Sequence, residues 1–283
     1  MTAARPPHPG GRRIELHAHT HFSDGALSPE SLVELALEHD ITALAITDHD
    51  SVEGIAPALA AAGTDIEIVP GIEISSLLEG HDLHILGYFL DSESSALRER
   101  LALFRDERRQ RALDIIARLE KLGVPVSADE VFGSAGPGVV GRPHVAQALL
   151  RAGHVPTIEL AFQKYLGLRG SAFVPRPAFA STEAVRVIRD AGGVAVLAHP
   201  GTLERRLVEQ LAEAGLAGIE VWHPQHGMPA QKRWFQTAQE LGLVPSGGSD
   251  FHGPHRGAGL GEMPVPERSL DDLRARAAGP AAR

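Results

Sequence analysis

Two short stretches carry side chains of the types and spacing that chelate a metal ion. His17 and His19 stand two apart in Ile14-Glu15-Leu16-His17-Ala18-His19-Thr20-His21-Phe22-Ser23-Asp24-Gly25, a run that begins like a strand and ends in a small-residue turn. Residues two apart in a strand share a face, so the two imidazoles point the same way. Asp24 follows the turn, where a loop can bring a carboxylate back to them. Far along the chain, Ser249-Asp250-Phe251-His252-Gly253 offers a second same-face pair after the apparent strand 243–246. Other strand ends carry His49, Glu73, His84 and His199. Singly, each has an ordinary explanation, such as a helix cap or an exposed edge residue. Jointly they do not, because a packed sheet has little reason to end five or more strands in imidazoles and carboxylates. Six imidazoles and three carboxylates would serve about three divalent cations at three to four protein ligands each.

The charge sum indicates what such a centre is for. Three carboxylates against three divalent ions leave about +3 facing solvent. A pocket of that charge binds a phosphate, lowers the pKa of a bound water toward neutrality and stabilises the transition state of phosphoester cleavage. Ligation by nitrogen and oxygen alone suits manganese, iron or zinc and does not choose among them. The 283-residue chain has no cysteine, which leaves no disulfide framework or thiolate site and points to the cytoplasm. Its formal net charge is −9, from 27 basic and 36 acidic residues. That balance argues against a broad basic surface for long duplex DNA, yet is compatible with a small phosphorylated substrate. No apolar run approaches the roughly 20 residues of a membrane span. Residues 1–10 contain arginine without an apolar stretch behind it, so a disordered lead is expected there and not a signal peptide.

The elements that must position these residues alternate. Helices are expected at 29–39, with Ser28 as cap and Pro29 in the first turn, and at 54–62; strands are expected at 41–47, 66–69 and 82–89. Pro70-Gly71 reads as a turn into Ile72-Glu73-Ile74-Ser75. After the insertion described next, Ser181 is the expected cap of a helix at 182–190. Strands at 194–198, 218–222 and 243–246 then alternate with helices at 203–214 and 229–241, and a closing helix covers 269–278. Alternation of this kind predicts parallel βα units with chemistry at the C-terminal strand ends. Between 94 and 177 the strand signal stops. Leu97, Leu101 and Phe104, then Ile115, Leu119 and Leu122, recur at helical spacing, and shorter helices are expected at 128–132, 143–152 and 157–166. Arg105, Arg108, Arg109 and Arg111, interleaved with Asp106, Glu107 and Asp114, read as a solvated, salt-bridged helix face.

At this point the sequence resembles a known family. His17-x-His19 with Asp24, Thr47-Asp48-His49, Gly71-Ile72-Glu73, His84-Ile85-Leu86-Gly87, Ala198-His199-Pro200 and Gly248-Ser249-Asp250-Phe251-His252 match, in order, the motifs of the polymerase and histidinol phosphatase (PHP) family. The match spans about residues 13 to 265 and keeps all nine ligand positions. The resemblance implies an α/β fold, a distorted (β/α)7 barrel of PHP type with a helical insertion. The barrel would occupy 13–93 and 178–267, the insertion 94–177, and a C-terminal helix and tail 268–283. It also implies a trinuclear centre, with manganese the first choice and iron or zinc the alternatives. One ion would take His17, His19, Glu73 and Asp250. A second would share Glu73 and take His84 and His199, and a third would take Asp24, His49 and His252. Asp24 and His252 would also serve catalysis.

The inserted segment, with Gly141-Arg142-Pro143-His144, Lys164-Tyr165-Leu166 and Val174-Pro175, is similar to the subgroup acting on nucleoside 3',5'-bisphosphates. Those enzymes remove the 3'-phosphate, and relatives trim short RNA from the 5' end. Arg142 and His144 would then hold the 5'-phosphate, a task that suits a forked guanidinium. Other readings are a phosphatase for another small phosphomonoester such as histidinol phosphate, an amidase-type hydrolase on the same centre, or a non-catalytic metal-binding module. His81 rivals His84 as a ligand but reads as loop, and His223 and His226 end a strand without an assigned role.

Overall fold

Seven strands lie in one sheet in chain order: β1 (Arg13–Glu15), β2 (Ile41–Ile46), β3 (Glu67–Leu78), β4 (His81–Tyr88), β5 (Val194–Leu197), β6 (Gly218–Trp222) and β7 (Val244–Gly247). In this computed structural model residues 12–254 and 256–279 are described, and the lead expected at 1–10 lies outside them. Helices α1 (Pro29–Glu38), α2 (Ile55–Ala62), α7 (Ser181–Asp190), α8 (Arg205–Glu213) and α9 (Met228–Leu241) connect the strands, and α10 (Glu267–Ala277) closes the chain. The insertion holds α3 (Ser95–Lys121), α4 (Ala128–Ala135), α5 (Arg142–Arg151), α6 (Ile158–Ala161) and a π-helical turn at Phe162–Leu166. Among the described residues no ladder joins β1 to β7. Their continuations meet instead in an isolated parallel bridge, Ala18 with Phe251. His19 N–H donates to Phe251 O at 2.9 Å there, and Phe251 N–H to His17 O at 3.1 Å. This contact brings the two ligand-bearing stretches of the sequence side by side.

Strand periodicity supplies two cores from one sheet. Ala43, Ala45, Val194 and Val196 enter one apolar cluster, closed by Leu270 and Leu273 of α10. Their neighbours Leu44, Ile46, Ala195 and Leu197 enter the other, against the surrounding helices. Side chains alternate across a strand, so a slip of one residue would exchange the faces. The insertion has a cluster of its own around Ile115, Leu119, Val131, Val145 and Leu149. The 27-residue α3 spans both, placing Leu97, Leu101 and Phe104 in the barrel's cluster and Ala112, Ile115 and Leu119 in the insertion's.

Three expectations need correction. The sheet is not wholly parallel, because β4 runs antiparallel to both β3 and β5. Glu79 and Gly80, both at positive φ, join β3 to β4 in a two-residue hairpin, the geometry that matches strand twist. Pro70-Gly71 is not a turn, since β3 runs unbroken through it. The strand changes partner there, pairing with β2 up to Pro70 and with β4 from Gly71. A side chain at Gly71 would meet the backbone oxygens of Ile46 and Gly87 at 2.9 and 3.0 Å, so glycine permits the crowding. Ser181 lies inside α7, whose N-cap is Ala180, and its hydroxyl accepts from Ser76 at 2.8 Å. Ser28 does cap α1, accepting from Ser31 N–H at 3.2 Å.

Candidate metal centre

The structure brings all nine sequence-selected side chains to one end of the sheet. His17 Nε2 lies 3.3 Å from both Glu73 Oε2 and Asp250 Oδ1, while His19 Nε2 lies 3.3 and 3.1 Å from the same atoms. Glu73 Oε1 faces His84 Nδ1 at 2.8 Å and His199 Nε2 at 3.1 Å. His49 Nδ1 approaches Glu73 Oε2 at 3.0 Å. Asp24 Oδ1 is 3.2 Å from His252 Nε2 and 4.0 Å from His49 Nε2. His17, His19, Glu73 and Asp250 satisfy the proximity of a shared ion, as do His19, Asp24, His49 and His252, and His49, Glu73 and His84. His199 approaches through Glu73, and His81 at the exposed start of β4 belongs to none of these groups.

These residues fit divalent cations. Among the described residues nine buried side-chain polar atoms lack a hydrogen-bond partner, and seven of them belong to His17, His19, Asp24, His49, Glu73, His223 and Asp250. Buried polar groups are otherwise nearly always paired, so such a concentration of nitrogen and oxygen lone pairs indicates a cation as the common partner. The titration behaviour agrees. Burial alone would push His19 down, but the adjacent Asp250 and Glu73 carboxylates outweigh it and hold the ring at about 10. Burial opposes ionisation of Glu73 too, yet the surrounding histidines, His49 and His84 foremost, hold its carboxyl well below the usual range. In the metal-free protein, protons on imidazole balance the carboxylates that cations otherwise neutralise.

Several positioning groups were not singled out from the sequence. Glu220, fully buried on β6, accepts from His17 Nδ1 at 3.1 Å and from His199 N–H at 2.7 Å. A carboxylate behind a ligating imidazole fixes its orientation and raises its basicity. Glu15 accepts from the N–H groups of His17, Ser249 and Gly261 and from the Ser249 hydroxyl, linking β1 to the segment after β7. Asp48 accepts from Thr20 N–H, Thr20 Oγ1 and Ser23 Oγ at 2.6–2.7 Å, which orders the turn ahead of Asp24. Gly25 closes that turn, where a Cβ would lie 2.3 Å from His19 O. His199 and Asp250 have φ of 25° and 52°, strained backbone of the kind that clusters at functional sites. A charged residue in the apolar run Gly218-Ile219-Glu220-Val221 was the available signal for Glu220.

A cleft opens from the centre toward the insertion. Asp24, His49 and His84 line one part, and Arg108, Arg111, Arg142 and Arg176 line another. The face of α3 expected to be solvated is therefore divided. Arg105 pairs with Glu53 at 2.6 Å in the open, but Arg108 and Arg111, three apart and so on one face, turn into the cleft. Arg108 is paired with Asp50, and Arg176 and Arg142 approach Asp82, the latter at 3.9 Å. Burial, with Arg142 and Arg108 nearby, lowers Arg111 to about 10. His144 is buried and does not line the cleft, and its Nδ1 accepts from Gly141 N–H at 3.0 Å at the start of α5.

Known proteins match this arrangement. The PHP domain model matches residues 15–129. The 5'-3' exoribonuclease Rnm of Escherichia coli is 37% identical over 249 residues, covering 85% of each chain. The chain belongs to the PHP domain family. Further along the family, the 3',5'-nucleoside bisphosphate phosphatase of Chromobacterium violaceum is 36% identical, covering 86% of this chain and 88% of the relative. A crystal structure of a candidate metal-dependent phosphoesterase from Bifidobacterium adolescentis superposes with a TM-score of 0.88 at 29% identity, over 95% and 97% of the two chains. This PHP protein is accordingly a metal-dependent phosphoesterase with a mixed α/β fold around a seven-stranded sheet. Among its described residues no helix is long and apolar enough to cross a membrane.

Proposed function

We propose that this PHP protein removes the 3'-phosphate from nucleoside 3',5'-bisphosphates and trims short 5'-phosphorylated RNA by the same chemistry. The observation that carries this reading is the single cleft that joins the histidine-carboxylate centre to four arginines of the insertion and its flank. A substrate with one phosphate needs only the first, whereas one with two anionic ends uses both. The similarity to a bisphosphate phosphatase and an exoribonuclease supports the same substrate class.

In this reading the centre would take three divalent ions, manganese by preference. His17, His19, Glu73 and Asp250 would hold one, Glu73 with His84 and His199 the second, and Asp24, His49 and His252 the third. Bound there, they supply Lewis acidity and an activated water. The chain does the rest. Arg142 holds the 5'-phosphate through its forked guanidinium. His144, buried at the start of α5 with Nδ1 accepting from Gly141 N–H at 3.0 Å, braces the turn that presents Arg142 and does not itself reach the phosphate. Arg111 adds a cation to the cleft, paired with no carboxylate among the described residues, its Nε donating to Val174 O at 2.8 Å. Asp24 fixes the His252 and His49 end of the centre. His252 donates from Nδ1 to Asp250 O at 2.8 Å, which leaves its Nε2 lone pair for the third ion and no proton to give the leaving 3'-oxygen. Residues 94–177 act as the substrate-holding unit over the barrel.

Manganese-loaded protein offered adenosine 3',5'-bisphosphate, a 5'-phosphorylated dinucleotide and histidinol phosphate side by side should favour the first two. Arg142→Ala should raise KM for the bisphosphate at least tenfold and leave a plain 3'-monophosphate unchanged. Equal effects on both would refute the 5'-phosphate assignment, and preferred turnover of histidinol phosphate would refute the substrate class.

A further inference from the structure

The histidines at the centre can be sorted by which ring nitrogen bears the proton, because a backbone N–H only donates and a carbonyl only accepts. His252 Nδ1 faces Asp250 O at 2.8 Å, and His17 Nδ1 faces the Glu220 carboxylate at 3.1 Å. Both hold their proton on Nδ1 and present the Nε2 lone pair, the form a metal ligand requires. His226 uses both nitrogens within the fold. Its Nδ1 donates to Val221 O at 3.0 Å, and its Nε2 accepts from Gly201 N–H at 3.1 Å.

His223 is the reverse of the ligand form. Gln225 N–H donates to His223 Nδ1 at 3.2 Å, which puts the proton of the neutral ring on Nε2. That nitrogen is buried, has no hydrogen-bond partner and lies 3.5 Å from Asp250 Oδ2. Proximity alone would group His223 with His17 and Glu220 as another cation site. The tautomer argues otherwise, since a cation at Nε2 needs the lone pair there and would force out the Gln225 bond. Glu220 is also committed already, to His17 and to the His199 amide.

We propose that His223 is a positioning residue and not a metal ligand: its Nε2–H donates to Asp250 Oδ2 and holds the carboxylate with Oδ1 toward His17 and His19. A small rotation of Asp250 turns the 3.5 Å approach into a hydrogen bond. The inference rests on reading Asp250 as a ligand.

Long-range 1H–15N spectra of the zinc-loaded protein should show His223 with its proton on Nε2, and a metal-bound Nε2 would overturn the proposal. His223→Leu should keep the full metal content per chain at saturating manganese but bind it 10- to 100-fold more weakly. His223→Gln, which restores an N–H donor near the lost one, should recover most of that affinity. Loss of one ion per chain in both variants, or no recovery by glutamine, would overturn it. Asp250→Asn should lower the metal content, and an unchanged content there would end the ligand reading of Asp250 while leaving the tautomer result intact. The spectrum of the unsubstituted protein decides the matter if His223→Leu does not fold.

Discussion

Arg108 and Asp50 join the insertion to the metal centre: Arg108 Nε donates to Asp50 Oδ2 at 2.7 Å, and a second guanidinium nitrogen donates to Ser75 Oγ at 3.0 Å. Asp50 follows His49, and its other oxygen accepts from Ser75 N–H at 2.9 Å. Its own N–H donates to Glu73 O at 3.0 Å. One ion pair thus ties α3 to the backbone that carries two candidate ligands.

Arg108→Gln leaves the buried Asp50 carboxylate without its cation. Breaking a buried pair from one side is costly, and the partial exposure of Arg108 reduces the penalty, so a loss of about 2–3 kcal/mol is expected. Denaturant unfolding of the metal-loaded protein measures it. Pairing the change with Asp50→Asn should return part of the loss, and strictly additive losses would show that the pair is not coupled.

Glu220→Gln keeps an acceptor behind His17 but removes its charge. Burial disfavours ionised Glu220, yet His17, His223 and His199 together outweigh it and lower the carboxyl's pKa. The variant should bind manganese roughly 10- to 100-fold more weakly, as read by competition with a chelating dye, at nearly unchanged secondary structure.

Metal removal should reshape the pH dependence of stability. His19 is raised from 6.5 to about 10 in the metal-free fold. Its contribution is therefore complete below 6.5 and is lost as pH rises through about 10. Asp24, Glu73 and Asp250 are lowered, so their contribution holds above the ordinary carboxylate range and is lost in stronger acid. Chelator-treated protein should show a Tm that declines from pH 6.5 toward pH 10. Metal-loaded protein should resist that decline, because uptake displaces the imidazole protons and strengthens with pH. Equal slopes with and without metal would contradict both points.

Gly25→Ala tests the turn that delivers Asp24. The added methyl would lie 2.3 Å from His19 O, so backbone must move at a candidate ligand. A loss of about 1–3 kcal/mol is expected, with a lower metal content per chain by elemental analysis. Full metal content at normal stability would show that the turn does not govern Asp24.

Much of the centre was legible in the chain because ligands need particular side chains and strands repeat every two residues. His17 with His19 and Asp250 with His252 could be paired by that period alone, and His49 and His199 fell just past the ends of apolar runs, whereas Glu73 and His84, also expected at strand ends, lie inside β3 and β4. The positioning layer was less legible. Glu15, Asp48 and Glu220 act through hydrogen bonds to residues distant in sequence, and a lone carboxylate in a strand does not announce its partner. Arg108 and Arg111 read as a solvated face because mixed charge is what an exposed helix shows, and only the packing of α3 across two cores turned them inward.

The amino-acid sequence by itself determined the donor set, the absence of thiolate ligands and the alternation of strands and helices, since all three depend on residue type and local period. The tertiary structure alone decided the antiparallel run of β4, the union of centre and arginines in one cleft, and the groups that face the ring nitrogens of His17, His223 and His252. Those depend on which backbone groups and carboxylates meet across the sheet, and local sequence carries no record of such meetings.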